Sequence, residues 1–345
     1  MTLDPKPAKI EHVARAAGVS IMSVSRALRG VDGVSAGTRD RIRALATEMG
    51  YVPNRLAGSL AQATSNLVCI SVPTLFDAVF AEIIGGMRET LSHAGYETMI
   101  ETSDYDQLRE AQWVERMITW SPAALVLSGV DHAAETRARL GSAGIPVMEL
   151  WDVTEDPIDM CVGLDHQAVG LDLGDHLCRL GYRAPAYVGI AKGRDPRSEK
   201  RMAGIAAAFA ARGLALTPVR VDTAPSFEAG FEGAMHAFAR DPRPDVLCFL
   251  NDHLAFGGLM ACEQAGLDVP EEMGIAGFNG LNITSVLPKR LTTSVSQRTL
   301  MGKAAARLLV AAVRGVRTER RLVMPVTLDE GATTRPQLTT SSRSD

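Results

Sequence analysis

Seven histidines and five cysteines are scattered over the 345 residues, and their spacing decides which chemistries are open to them. Cys69, Cys161, Cys178, Cys248 and Cys262 form no CxxC pair, and the histidines form no HExxH or HxxxH pair. Neither a zinc site nor a disulfide framework is expected, and the cysteines read as reduced, buried small hydrophobes. A dinucleotide enzyme would carry GxGxxG after its first strand, but that loop here is Pro73-Thr74-Leu75-Phe76-Asp77, without glycine. No GxSxG elbow follows any strand expected in the body, so no catalytic residue, cofactor or metal is assigned. What the spacing does concentrate is positive charge. Lys6, Lys9, Arg15, Arg26, Arg29, Arg39, Arg41, Arg43 and Arg55 face only Asp4, Glu11, Asp32, Asp40 and Glu48 through Thr64, a net +4. The whole chain carries −4, so the remainder carries −8. A basic head on an acidic body suits a protein of which one end meets a phosphate backbone.

The elements that would position these charges begin with Ile10, Val13, Ala14 and Ala17, at helical spacing and closed by Gly18. Val19 fills a turn and Ser20 caps a second helix over residues 21–28, with Val24 and Leu28 inward and Ile21, Met22, Ser25 and Arg26 on its surface. A third helix follows Val34-Ser35, runs through Thr38, Ile42, Leu45 and Met49, and stops at Gly50. Two short helices across a tight turn, locked by a third, form the geometry that sets the second helix into a major groove. The next segment, 54–61, is barely two turns long and contains Gly58, too short to hold a helix alone in water.

The runs 10–20 and 24–28, Val34-Ser35 with Thr38-Arg39, and Gly50-Tyr51-Val52-Pro53-Asn54-Arg55-Leu56-Ala57 resemble the head of LacI/GalR transcription regulators in order and spacing. The resemblance implies that Ser20, Ser23, Ser25 and Arg26 hold phosphates or bases, and that Ile21 and Met22 sit at the main base-reading positions. Many family members are polar at those two positions; an apolar pair presses on thymine methyls but forms no bidentate bond to guanine or adenine. Asn54, Arg55 and Ala57 would belong to a hinge that folds on the operator, with Leu60 wedged into the minor groove.

From residue 66 the rhythm changes. Short apolar runs at 67–72, 96–101, 124–128, 146–150, 184–190, 219–222, 246–250 and 274–278 read as strands. Helical stretches such as 79–93, 106–120, 197–212 and 254–265 lie between them, an alternation that predicts doubly wound parallel sheets. Ligands of such sheets bind at the carboxyl ends of the strands, where Asp77, Phe80, Ser128 and Glu149 lie. This part resembles the periplasmic-binding-protein-like core of the same family, on Asn251-Asp252, Ala255, Gly257, Gly266-Leu267, Val269-Pro270, Gly277-Phe278, residues 291–293 and Met301-Gly302. The resemblance implies three crossings between two lobes, near 162–163, 295 and 324–326. It gives Arg201, ahead of Ala203-Gly204, as a cationic ligand contact, with Asn251 and Asn279 as polar ones. Asp252 is expected to cap the helix that follows it. Within the family, Met22, residues 79–82, 95–99, 146–152 and 277–280 look most like gluconate-operon repressors.

The expected architecture is therefore an all-α helix-turn-helix head over 1–53, a hinge and linker over 54–65, and an α/β core over 66–338. The N-lobe would take 66–163 and 296–324 and the C-lobe 164–295 and 325–338, with a tail at 339–345. The expected function is a repressor, a homodimer or higher oligomer, with operator DNA and a sugar acid such as gluconate as partners. A same-fold sensor of a neutral sugar or nucleobase is the first alternative, and a sugar-binding transport component the second. The N-terminus has no apolar core, and no run approaches the ~18 apolar residues of a membrane span, so a cytoplasmic location and no membrane partner are expected.

Overall fold

The fold was obtained as a computed structural model that describes residues 8–52, 65–75 and 78–336. The expectations for Asn54, Arg55, Ala57, Leu60, Asp77 and the tail at 339–345 lie outside the described residues. The chain divides between Ser65 and Asn66 into two compact units.

The first unit is built from α1 (Ile10–Ala17), α2 (Ile21–Arg29) and α3 (Ala36–Glu48). Gly18 ends α1 at φ +63°, a left-handed angle that costs glycine nothing and lets the chain reverse at once into α2. The Ser20 hydroxyl accepts the Ser23 amide at 3.1 Å and so starts α2. Val13, Val24, Ala27 and Ile42 are wholly buried where the three helices meet. The Arg41 guanidinium donates to the Ala17 carbonyl at 2.8 Å, tying α3 to the turn between the other two.

The second unit has two six-stranded sheets. The N-lobe sheet has the order β11 (Arg321–Val323), β5 (Met160–Leu164), β4 (Val147–Asp152), β3 (Ala124–Ser128), β1 (Leu67–Val72), β2 (Glu97–Thr102), parallel throughout. The C-lobe sheet has the order β12 (Val326–Asp329), β10 (Thr292–Ser296), β9 (Gly274–Asn279), β8 (Val246–Phe249), β6 (Pro185–Ile190), β7 (Thr217–Val221). Only β12 runs antiparallel to its neighbour. Helices α4 (Ala78–His93), α5 (Gln107–Ile118), α6 (Ala134–Ser142) and α11 (Arg298–Val313) accompany the first sheet; α7 (His166–Arg179), α8 (Pro196–Ala210), α9 (Phe227–Phe238) and α10 (Asp252–Ala265) accompany the second. The chain passes from one lobe to the other after Leu164, after Ser296 and between Val323 and Val326.

Strand β4 extends through Asp152, two residues beyond the expected end, and this brings Trp151 and Asp152 to the strand terminus. Helices α7 and α8 cross at Gly170 and Gly204. A Cβ on Gly170 would lie 2.0 Å from the Arg201 carbonyl oxygen, so only glycine lets the two backbones come this close. That contact fixes the height at which α8 delivers Arg201 to the cleft between the lobes.

Candidate functional site

On the first unit, α2 presents its own chemistry outward. Ile21 is 47% exposed and Met22 64%, although every aliphatic neighbour on the inner face is covered. Two large apolar side chains held in water at a helix start, beside exposed Arg26 and the Ser20–Ser23 hydroxyl pair (2.9 Å), form a contact surface. Ser25 is half-buried on the same helix.

On the second unit, the cleft between the lobes is lined by Val79, Phe80, Tyr105 and Trp151 from one side and Asp195, Arg197, Arg201, Leu250, Asn251, Phe278 and Asn279 from the other. The free volume between these side chains is about 30 Å³, room for a water or two. Helix α8 supplies both cations. The Arg201 guanidinium lies 3.9 Å over the Phe278 ring, which holds it flat. Its Nη1 donates to His166 Nδ1 at 2.9 Å and its Nη2 to the Leu250 carbonyl at 3.0 Å, while Nε is buried with no partner among the described residues. Because His166 Nδ1 accepts that bond, its Nε2 carries the proton and donates to the Trp151 carbonyl at 2.8 Å. Burial, then the charges of Arg201 and Arg197, push the His166 pKa well below its ordinary value, so the ring is neutral.

Arg197, one turn before Arg201, is engaged differently. Its Nε donates to Asp195 Oδ1 at 3.0 Å and its Nη1 to Ser128 Oγ, across the cleft, at 2.9 Å. Burial raises the Asp195 pKa, but Arg197 and Arg201 outweigh that and hold the carboxyl below the usual range. On the same side of the cleft, Asn279 sits at φ +115° with its side-chain oxygen buried and unpartnered among the described residues. Arg201 Nε and Asn279 Oδ1, two buried polar atoms without partners among the described residues, thus belong to residues that line the same small space.

Of the residues expected at the effector site, Phe80, Arg201, Asn251 and Asn279 line the cleft together. Ser128 reaches it only through its bond to Arg197. Glu149 does not belong there. It is wholly buried and accepts the Ile158 amide at 2.7 Å, with His132 Nε2 at 3.5 Å and Arg137 at 3.9 Å, all away from the cleft. The expected capping role of Asp252 is likewise corrected: Asn251 Oδ1 caps α10 by accepting the Leu254 amide at 3.0 Å. Asp252 instead accepts the Leu281 amide and the Thr293 hydroxyl, both at 2.7 Å, and burial pushes its carboxyl up to about 7. Asp195, Arg197, Tyr105, Trp151 and His166 went unassigned from sequence. Arg197 had a signal, since it precedes Arg201 by four residues and so shares its helical face; the others had none.

Among the described residues, no group of three His, Cys, Asp or Glu is placed to hold a metal ion, and no helix is long and apolar enough to cross a membrane.

Comparison with known proteins finds matches for both parts of the chain. Residues 9–54 match the bacterial regulatory proteins of the lacI family, and residues 174–334 match the periplasmic binding protein-like domain. The chain is 34% identical to the HTH-type transcriptional regulator GntR of Escherichia coli, over 95% of this chain and 97% of that one. It is 31% identical to the regulator IdnR of the same organism, over 88% and 92%. A LacI-family regulator of Silicibacter pomeroyi superposes with a TM-score of 0.88 at 32% identity, over 95% of this chain and 99% of that one. The lac repressor dimer bound to operator and anti-inducer shares the fold, with a TM-score of 0.81 at 23% identity over 96% and 100%. A basic helix-turn-helix head joined to a two-lobed core with a polar cleft thus has one consistent meaning: the chain belongs to the LacI family of DNA-binding transcriptional repressors.

Proposed function

We propose that this repressor is a homodimer whose grip on its operator is set by a sugar acid of the gluconate type, held between the core lobes. The observation that carries the effector class is Arg201. A guanidinium kept flat on Phe278, with both Nη groups on neutral acceptors and Nε unpartnered, offers the Nε–Nη edge that a carboxylate grips in bidentate fashion. A carboxylate is the group of such a ligand most expensive to bury without a cation. The hydroxyls of a polyol suit the Asn251 and Asn279 amides. The residues that resemble gluconate-operon repressors, Met22 and the stretches 79–82, 95–99 and 146–152 among them, support the same class.

At the other end, Ser20, Ser23, Ser25 and Arg26 would position α2 on the phosphates while Ile21 and Met22 press on bases. Residues 54–65, with Asn54, Arg55, Ala57 and Leu60, would act as the hinge, and two copies would read a near-palindromic site in the cytoplasm. Thermal unfolding with D-gluconate, D-glucose and guanine, each at millimolar concentration, tests the effector. A ligand at 100 times its Kd adds about 2.7 kcal/mol, so gluconate is expected to raise the core Tm by roughly 5 °C. A shift with glucose or guanine and none with gluconate would overturn the sugar-acid assignment.

A further inference from the structure

Among the described residues that line the cleft, three carry charge: Asp195, Arg197 and Arg201. Their pairing is unequal. Arg197 is bound to Asp195 at 3.0 Å, and the two side chains are 7% and 11% exposed. It also donates to neutral Ser128 and lies 5.9 Å over the Tyr105 ring. Arg201 has no acidic partner among the described residues, since its Nη groups go to a neutral imidazole and a carbonyl. Lys200, between them on α8, is occupied outside the lining by Asp152 at 2.6 Å and Asp131 at 3.2 Å. The described lining therefore holds one uncompensated positive charge.

We propose that Asp195 is a specificity residue: by neutralising Arg197 it tunes the cleft to ligands with one negative charge and turns away sugar diacids. This rests on the sugar-acid assignment of the cleft. One carboxylate satisfies Arg201 and leaves the site neutral. A second would be stripped of water with no free cation among the described lining residues to meet it, and would stand in the same small cleft as the Asp195 carboxylate. If Arg197 turned to the second carboxylate, Asp195 would be left buried and unpaired, which is no cheaper. The low pKa of Asp195 agrees with this, because the residue stays charged throughout the working pH range.

D-gluconate and D-glucarate separate charge from size, since the second differs only in having a carboxylate where the first has a terminal CH₂OH. Isothermal titration of the full chain with each acid is expected to show wild type favouring gluconate at least tenfold, about 1.4 kcal/mol. Asp195→Asn is expected to narrow that preference at least tenfold, and Asp195→Glu to keep it. Asp195→Ser gives a second neutral substitution should Asp195→Asn unfold, and operator binding by each variant reports that it is folded. An unchanged preference in the neutral variants would overturn the role of Asp195. Failure of the sugar-acid assignment looks different, with wild type binding neither acid. In that case a gain of glucarate binding in Asp195→Asn still upholds the charge rule, and no gain overturns it.

Discussion

Trp151 shows how one backbone angle decides which side chains meet a ligand. Along β4, Val147 and Glu149 point to the face covered by α5 and α6, while Met148 and Leu150 point to the opposite face. Strict alternation would send Trp151 after Glu149. Its φ of +75° reverses that, and the indole packs with Phe80 (centroids 6.2 Å apart) and His166 (5.9 Å) at the cleft. A left-handed angle on a tryptophan costs on the order of 1–3 kcal/mol and leaves no trace in sequence. For that reason the acid two residues earlier was the visible candidate and the indole was not. Arg201 and Asn279 were legible only through family resemblance, because a lone Arg or Asn has no pattern of its own. His166 is the residue behind Arg201, and its neutral state has a measurable consequence. The folded ring resists protonation, whereas the unfolded one takes a proton as pH falls through about 6.5. The unfolded state then binds more protons, so this residue's contribution to stability falls as pH drops below that value, by up to about 1.4 kcal/mol per pH unit. His166→Gln can still accept from Arg201 and donate to Trp151. In chemical denaturation from pH 7.5 to 5, its stability relative to wild type is expected to rise as pH falls; a constant difference would mean that the ring takes up its proton as readily in the fold as in the unfolded chain.

At the scale of elements, the first turns of α8 join the lobes. Arg197, Lys200 and Arg201 fall on one face, and two of them reach the N-lobe, Arg197 to Ser128 and Lys200 to Asp152 and Asp131. The Asp152 side chain is almost wholly buried, and burial raises its pKa even with Lys200 beside it. Lys200→Met would leave that carboxyl unpaired and favour lobes apart over lobes together. For a ligand that binds the closed arrangement, apparent affinity scales with the fraction closed. Gluconate affinity by titration calorimetry is expected to fall about three- to tenfold, the lower figure reflecting a lysine that is one-third exposed and partly screened. Unchanged affinity would remove this pair from closure. The elements themselves were largely legible. Eight strands and the four helices at 79–93, 106–120, 197–212 and 254–265 follow from apolar runs and helical spacing, with boundaries within about three residues; the other four described α-helices of the core were not assigned. Strands β5, β10, β11 and β12 were not assigned. Thr292–Ser296 is a mainly polar run, and β11 and β12 have three and four residues, so their pairing comes from neighbours distant in sequence rather than from a local pattern.

The whole molecule separates its two tasks by charge, with +4 through Thr64 and −8 beyond it. Only the head is then drawn to DNA, while inside the cleft of the otherwise acidic core Arg201 supplies a local positive charge. Coupling between these ends is a difference in ligand affinity between two arrangements of the core, and it must act equally in both directions. The most direct measurement uses an operator selected by the wild-type protein from a random-sequence pool, with gluconate titrated into the complex and release followed by fluorescence anisotropy. Wild type is expected to release the operator as gluconate rises. Arg201→Gln, with its head intact, is expected to bind the same operator equally well in the absence of gluconate. Loss of a charged hydrogen bond worth about 1.5–3 kcal/mol should make it need roughly 10- to 150-fold more gluconate for the same release. An Arg201→Gln protein that responds at wild-type concentrations, or a wild type indifferent to gluconate, would contradict control of the DNA head from this cleft by a sugar acid.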